Sequence, residues 1–394
     1  MKAIFRNGQV WQTDHFVPVD VAVNGSSIQR VGSSLPTLPD YQEIDISGKY
    51  LLPGIIDCHW HLGMVMDDPQ TRVYYDGNAI QGAYRCASFA KRMLYAGFTT
   101  VRECGTMFSE TAALRDAIRS GLLEGPNLIV CGSALSIPGG HMPSAVHVSG
   151  PDEARRAARE QLAQGADFLK VMLNGGLGRT NEIPDTVEID LDELQAICHE
   201  GHRTGKQIAC HAHSRQAMLN AIAAGATTIE HATMLDGQIV DGLLEKDMSI
   251  CPTFAPYGLV AQIGSQYNIP TEVQQSAARL FDIKCERFGL ALDQGVRIIY
   301  GRDNFLIEPE DISGEMRFMQ DAGMSPAHII RSATDIAAEA LGIGSHTGSI
   351  APEKNADMII MDQNPLDDLR RFNTNIVCVI QGGRWVRGNA ACTF

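Results

Sequence analysis

The sequence predicts an α/β protein: a (β/α)8 TIM barrel with a small composite β-sandwich domain built from both chain ends. Three observations predict it. Eight short β-branched or apolar runs alternate with helical stretches between Leu51 and Gly342. The two ends carry short alternating runs punctuated by Pro and Gly, without helical periodicity. Residues able to bind metal fall at the ends of the predicted strands.

The expected barrel strands are Gly54–Cys58, Phe98–Glu103, Asn127–Cys131, Asp167–Met172, Gln207–His211, Thr227–His231, Ser249–Thr253 and Val296–Gly301. Helical periodicity lies between them, as in Asp152–Gln164, Asp192–Arg203, Arg215–Ala224 and Val273–Asp293, often ended by glycine. Eight βα units in one run favour closure over an open doubly wound sheet. The barrel is therefore expected over residues 51–342. Residues 1–50 and 343–394 are expected to fold together, with strands at Ala3–Phe5, Val21–Val23, Ile28–Val31, Gln42–Ile46, Gly348–Ile350, Ala356–Met361, Ile376–Ile380 and Arg384–Val386.

Composition narrows the function classes. The chain has 394 residues, 44% of them apolar and 20% charged, as in ordinary globular proteins. A net charge of −14, with no basic block, disfavours nucleic acid and anionic membranes as partners. The ten cysteines form no CxxC, which argues against a zinc ribbon and against a secreted disulfide framework. No stretch approaches a transmembrane span, and Met1–Gly8 lacks the apolar core of a signal peptide, so the cytoplasm is the expected compartment.

The motif His59-Trp60-His61 closes the first predicted strand. Strand periodicity points residues i and i+2 the same way, so both imidazoles can reach one cation, although a hydrogen-bonded core pair has the same spacing. Further strand ends supply Lys170, His211, His231 and Asp303, which closure would gather on the C-terminal rim. Four imidazoles and one carboxylate exceed what one four-coordinate catalytic ion uses, so two divalent ions are expected, zinc first among them. Lys170 sits in the apolar run Phe168-Leu169-Lys170-Val171-Met172, unlike a surface salt-bridge lysine. An ammonium facing two dications must be neutralised or altered, and a carbamate formed with carbon dioxide would bridge both ions.

Taken in order, LLPGIIDCHWHL at Leu51–Leu62, GADFLKVM at Gly165–Met172, His211-Ala212-His213, Ile229-Glu230-His231, Asp303 and the tail Gly348–Asp357 resemble the amidohydrolase superfamily. The similarity is to the imidazolonepropionase-related branch, which includes metal-dependent Xaa-Pro dipeptidases, and it covers nearly the whole chain. The resemblance implies that His59 and His61 bind one metal and His211 and His231 the other, with carboxylated Lys170 bridging and Asp303 touching the first. It implies hydrolysis of an amide-type C–N bond by a metal-bridging hydroxide, with Asp303 moving the proton and the second metal polarising the carbonyl.

Several positions keep two readings. His141, in a glycine loop after the third strand, matches a substrate-contacting histidine of similar proteins or is an exposed loop residue. His213 shares a strand face with His211 and reads as support for it. Tyr257 reaches the substrate carbonyl or packs. Arg302, where similar proteins have a small residue, faces outward in a salt bridge or enters the pocket to meet a substrate carboxylate. Arg179, in the loop after the fourth strand, is a second candidate for anion recognition. Glu103 stands where similar proteins usually have aspartate.

The expected activity is therefore a binuclear amidohydrolase of a small amide, an N-acyl amino acid or an Xaa-Pro-like dipeptide. A hydrolase of cyclic amides, carbamates or ureas is the alternative within enzymes, and an inert barrel scaffold the alternative outside them. A homo-oligomer is expected, as in related enzymes.

Overall fold

The structure of the protein is a computed structural model that describes residues 1–63, 78–106, 110–177, 183–303 and 306–390. Arg179, expected as an anion-recognition residue, lies outside the described residues.

Seven strands come first: β1 (Lys2–Arg6), β2 (Gln9–Gln12), β3 (His15–Pro18), β4 (Asp20–Asn24), β5 (Ser27–Gly32), β6 (Gln42–Asp45) and β7 (Tyr50–Pro53). Strands and helices then alternate. The strands are β8 (Ile55–Trp60), β9 (Phe98–Glu103), β10 (Asn127–Val130), the two-residue β11 (Leu135–Ser136) and β12 (Val146–His147), β13 (Phe168–Met172), β14 (Gln207–Ala212), β15 (Thr228–His231), β16 (Ser249–Cys251) and β17 (Arg297–Ile298). The helices are α1 (Ala79–Ala96), α2 (Thr111–Arg119), α3 (Pro151–Ala163), α4 (Leu191–His202), α5 (Arg215–Ala224), α6 (Gly237–Glu245), α7 (Phe254–Ile263), α8 (Thr271–Asp293), α9 (Ser313–Asp321), α10 (Pro326–Ser332) and α11 (Asp335–Ala340). The strand β18 (Met358–Met361), the short helix α12 (Phe372–Asn375) and the strands β19 (Ile376–Gln381) and β20 (Arg384–Arg387) end the described chain.

Local chemistry sets several of these boundaries. Asn78 caps α1 by accepting the Gln81 N–H at 3.1 Å, and Asp236 caps α6 by accepting that of Ile239 at 3.0 Å. Asp190 and Glu193 form a reciprocal capping box at the start of α4.

The alternating part makes two parallel sheets, ordered β10-β9-β8 and β12-β11-β13-β14-β15-β16-β17. Backbone hydrogen bonds join them on both sides. The Asp167 N–H donates to the Val130 carbonyl at 2.7 Å, and the Cys58 N–H donates to the Tyr300 carbonyl at 2.9 Å. Helices pack outside, and one large buried cluster runs from Ile55 and Phe98 through Ile208 and Ile229 to Phe288 and Met316.

The chain ends form the sheets β5-β4-β1-β6 and β20-β19-β18-β7-β2-β3 around a second cluster that includes Phe5, Val10, Ile44, Leu51, Met358 and Ile380. Tyr50–Pro53 pairs antiparallel with Met358–Met361, so Leu51 and Leu52 belong to these end sheets although they are contiguous in sequence with the run leading into β8. Gly348–Ile350, expected as a strand, is not one. Gly348 sits at φ +88, outside extended geometry. The expected Val296–Gly301 strand is shorter as a ladder, because only Arg297 and Ile298 pair with β16; the Ile299 N–H still donates to the Ile250 carbonyl, and from Tyr300 the chain bonds to β8. Among the described residues, no helix is long and apolar enough to cross a membrane.

Candidate metal centre

Four strand ends and one following segment converge on a single pocket of histidines. The His59 and His61 ring centroids lie 5.3 Å apart, those of His59 and His231 5.2 Å, and those of His211 and His231 4.4 Å. Asp303 lies among them, its Oδ1 3.7 Å from His59 Nε2 and 3.6 Å from His61 Nε2, and its Oδ2 3.8 Å from His231 Nδ1. Its backbone N–H is tied to the His59 carbonyl at 2.8 Å. Gly301 makes this approach possible, because a Cβ there would stand 2.8 Å from His59 Cβ.

Each imidazole has a partner on one ring nitrogen. Glu230 Oε2 accepts from His59 Nδ1 at 2.8 Å, and the Gly105 carbonyl accepts from His61 Nδ1 at 2.8 Å. These bonds place the ring protons on Nδ1 and leave both Nε2 lone pairs facing Asp303. The Thr253 hydroxyl pairs with His231 Nδ1 at 2.6 Å, and the Gly175 carbonyl lies 3.5 Å from His211 Nε2. Burial, reinforced by the neighbouring Lys170, pulls His59 down to about 4 and His61 to about 3. Burial also pulls His211, His213 and His231 well below their ordinary value. The rings are therefore neutral at pH 7, the form that ligates metal.

Beneath them lies a charged floor. Arg102 donates to Glu230 Oε1 at 2.7 Å and to Thr228 Oγ1 at 3.0 Å. Burial alone would raise the Glu230 carboxyl, but Arg102 and His59 outweigh it and hold the group well below the usual carboxylate range. A stable anion there keeps the His59 ring in one tautomer. Sequence reasoning missed Glu230, Thr253 and Arg102 as supports. The only local signal was Glu230 beside His231, since Arg102 and Thr253 lie far in sequence from every predicted ligand.

Lys170 fits the need for another group. It is 1% exposed, and its Nζ has no hydrogen-bond partner among the described residues. An unpartnered buried amine is costly, so a site that keeps one implies a group the side chain is built to meet. Three sets of donor atoms lie within 4.8 Å of one another: His59, His61 and Asp303; His211, His213 and His231; and His59, Glu230 and Cys251. Two ligands about 2 Å from one ion stand a little over 3 Å apart, close to the spacing of Asp303 with the first two rings. The first set therefore fits a divalent ion. In the second set His213 is already occupied on both nitrogens, by Thr233 Oγ1 at 2.8 Å and Tyr257 Oη at 3.0 Å, which leaves His211 and His231 free to bind. The third set is held by the Arg102 pairing of Glu230.

The remaining expectations fall out differently. The His141 ring stacks on His211 at 4.4 Å, and the His141 backbone N–H donates to Glu188 at 3.0 Å, so the residue is part of the pocket wall. Tyr257 is buried, with its hydroxyl on His213. Arg302 does not enter the pocket: its Nε donates to Asp57 at 2.7 Å, its Nη1 to the carbonyls of Pro309 and Asp311 at 3.0 and 2.7 Å, and its guanidinium carbon lies 3.9 and 4.0 Å from the Trp60 and Phe98 rings. Its expected substrate role gives way to an outward-facing buried salt bridge, because Asp57, Trp60 and Phe98 together satisfy its charge and its flat faces.

Residues 50–386 match the amidohydrolase family. The chain belongs to that family. This amidohydrolase is 28% identical to the ochratoxinase of Aspergillus niger over 394 aligned residues, covering 88% of this chain and 80% of that protein. It superposes on a prolidase complexed with N-methylphosphonate-L-proline with a TM-score of 0.91 and 27% identity, covering 99% of this chain and 100% of the other. A Xaa-Pro dipeptidase with bound methionine in its active site gives the same TM-score and identity over 98% of this chain and 100% of that one. The protein is a metal-dependent hydrolase acting on C–N bonds.

Proposed function

We propose that this amidohydrolase is a closed (β/α)8 barrel holding two divalent ions, with zinc the expected metal, and that it hydrolyses an N-acyl amino acid or an Xaa-Pro-like dipeptide. Barrel closure is supported by the backbone bonds on both sides of the two parallel sheets. The chain-end sheets and their own core support a small composite β-sandwich domain. The observation that carries the binuclear reading is the buried, unpartnered Lys170 amine set among neutral histidines, which suits a carboxylated lysine bridging two ions. In this reading His59, His61 and Asp303 hold the first ion and His211 and His231 the second. When bound, the ions supply an acidified water and a Lewis acid for the scissile carbonyl.

The protein's own residues do the rest. Asp303 takes a proton from the attacking water on a carboxylate oxygen and delivers it to the leaving nitrogen, so the amide C–N bond breaks to a carboxylate and an amine. Glu230, Gly105, Thr253 and Gly175 keep the rings aimed, so no reorganisation accompanies the reaction. His141 and Tyr257 form the wall that meets the substrate. A cytoplasmic homo-oligomer acting on a small-molecule amide completes the reading.

Metal analysis of the purified protein tests it, with about two ions per chain expected. The loaded enzyme is then screened against N-acyl amino acids, Xaa-Pro dipeptides, lactams and aryl carbamates. Turnover confined to the last two classes would replace the proposed substrate. A chain that takes up no metal would leave an inert scaffold.

A further inference from the structure

The turn between β16 and α7, Pro252-Thr253-Phe254-Ala255, is gripped from two directions by charged side chains outside the pocket. Lys284 of α8 is 1% exposed, and its Nζ donates to the carbonyl of Pro252 and, at 3.3 Å, to that of Thr253. The same amine lies 4.2 Å from the Tyr257 ring centroid and 5.4 Å from that of Phe254. Glu315 of α9, fully buried, accepts the Phe254 and Ala255 N–H groups at 2.8 and 2.6 Å. Three consecutive peptide groups are thus held, two carbonyls by a donor and two N–H groups by an acceptor.

Thr253, between them, has φ +46 and ψ 63. A β-branched residue in the left-handed region is strained by roughly 1–3 kcal/mol and persists only where its surroundings over-determine it. The product of that strain is visible: the Thr253 hydroxyl reaches His231 Nδ1, and Tyr257, one turn into α7, reaches His213. Burial pulls the Lys284 amine below its ordinary value and pushes the Glu315 carboxyl above its own. A neutral amine still donates two hydrogen bonds, so the grip on both carbonyls survives loss of the third proton.

We propose that Lys284 and Glu315 are positioning residues: together they clamp the 252–255 turn, hold Thr253 in its left-handed conformation, and thereby aim His231 and Tyr257 at the reaction site. The inference rests on the binuclear reading above, in which His231 is a ligand.

The test uses the full-length protein loaded with cobalt(II), whose visible d–d spectrum reports ligand geometry independently of turnover. In Lys284→Met, kcat falls about 10- to 100-fold, as when other supports of metal ligands are removed. KM stays within about threefold and the cobalt spectrum shifts. In a cycle with Thr253→Ala the double variant loses no more kcat than the worse single variant, because both act through the same hydroxyl. Losses that multiply, or a Lys284→Met protein with wild-type spectrum and kcat, overturn the proposal. If Lys284→Met does not fold, Glu315→Gln carries the same spectrum and kcat test in the same cycle. Failure of the binuclear reading is distinguishable: it appears as a wild-type protein that takes up no cobalt, and it removes the clamp's role with it.

Discussion

Lys170 and Lys284 are equally inaccessible, each 1% exposed, yet their amines live in opposite surroundings. Lys284 has two carbonyls and two aromatic faces around its nitrogen. Lys170, among the histidines, has no hydrogen-bond partner among the described residues. Burying an amine is unfavourable in both places, but only around Lys284 does the protein itself return the lost hydration. The contrast separates a buried amine that the architecture partners from one that it leaves without a hydrogen bond among the described residues. The two buried arginines divide along a related line. Arg302 is fastened to Asp57 on the outside of the strands, whereas Arg102 works through Glu230 on His59.

The largest expected effect tests that contrast directly. Replacing Lys170 with Met abolishes turnover, yet leaves the melting temperature of the metal-stripped protein unchanged or higher, because no native hydrogen bond is lost. In Lys170→Ala, short carboxylic acids such as formate or acetate restore part of the turnover by supplying the missing anion. A fully active Lys170→Ala protein, or a Lys170→Met protein that melts well below wild type, would erase the distinction. Next comes Arg302→Met, which strands Asp57 in the interior without its cation and is expected to cost about 3–5 kcal/mol in urea denaturation. A cost below about 1 kcal/mol would place Arg302 with the dispensable surface charges.

The smallest effect concerns Glu103, buried where it accepts from the Gly105 N–H at 2.8 Å and the Thr111 hydroxyl at 3.0 Å. Burial pushes its carboxyl from 4.5 up to about 8. The folded chain then holds a proton that the unfolded chain releases, so this group's contribution is complete below pH 4.5 and is lost as pH rises to about 8. Glu103→Gln, which cannot lose that proton, should flatten this slope, so its stability relative to wild type rises between pH 5 and pH 8. Denaturant titrations at pH 5 and pH 8 measure it, and parallel pH dependence in the two proteins would remove Glu103 from the set of buried neutral acids.

Much of the pocket was legible because ligand geometry is partly local. The i, i+2 spacing of His59 and His61 and the apolar context of Lys170 follow from strand periodicity, and so does the placing of His211 at the end of an apolar run. Supports were harder to read, because they join residues far apart: His59 and Glu230 are 171 positions apart, and Thr253 meets His231 across neighbouring strands. Arg302 illustrates the limit well. Its neighbours in sequence allow either face, and the choice is made by Asp57, Trp60 and Phe98 packing around it.

By itself the sequence determined the alternation of strands and helices, the family, and which side chains carry ligand chemistry, since these depend on residue type and short-range periodicity. Only the tertiary structure decided which way the rim residues turn. Strand alternation would send Glu230 and His231 to opposite faces, yet Glu230 reaches His59 while His231 reaches His211 and Asp303. The backbone resolves this with a left-handed His231 at φ +71, repeated at Thr253 and Asp303 with φ +46 and +47. Such conformations are unfavourable for the isolated residue and are held by contacts across the fold, so they cannot be read from local sequence.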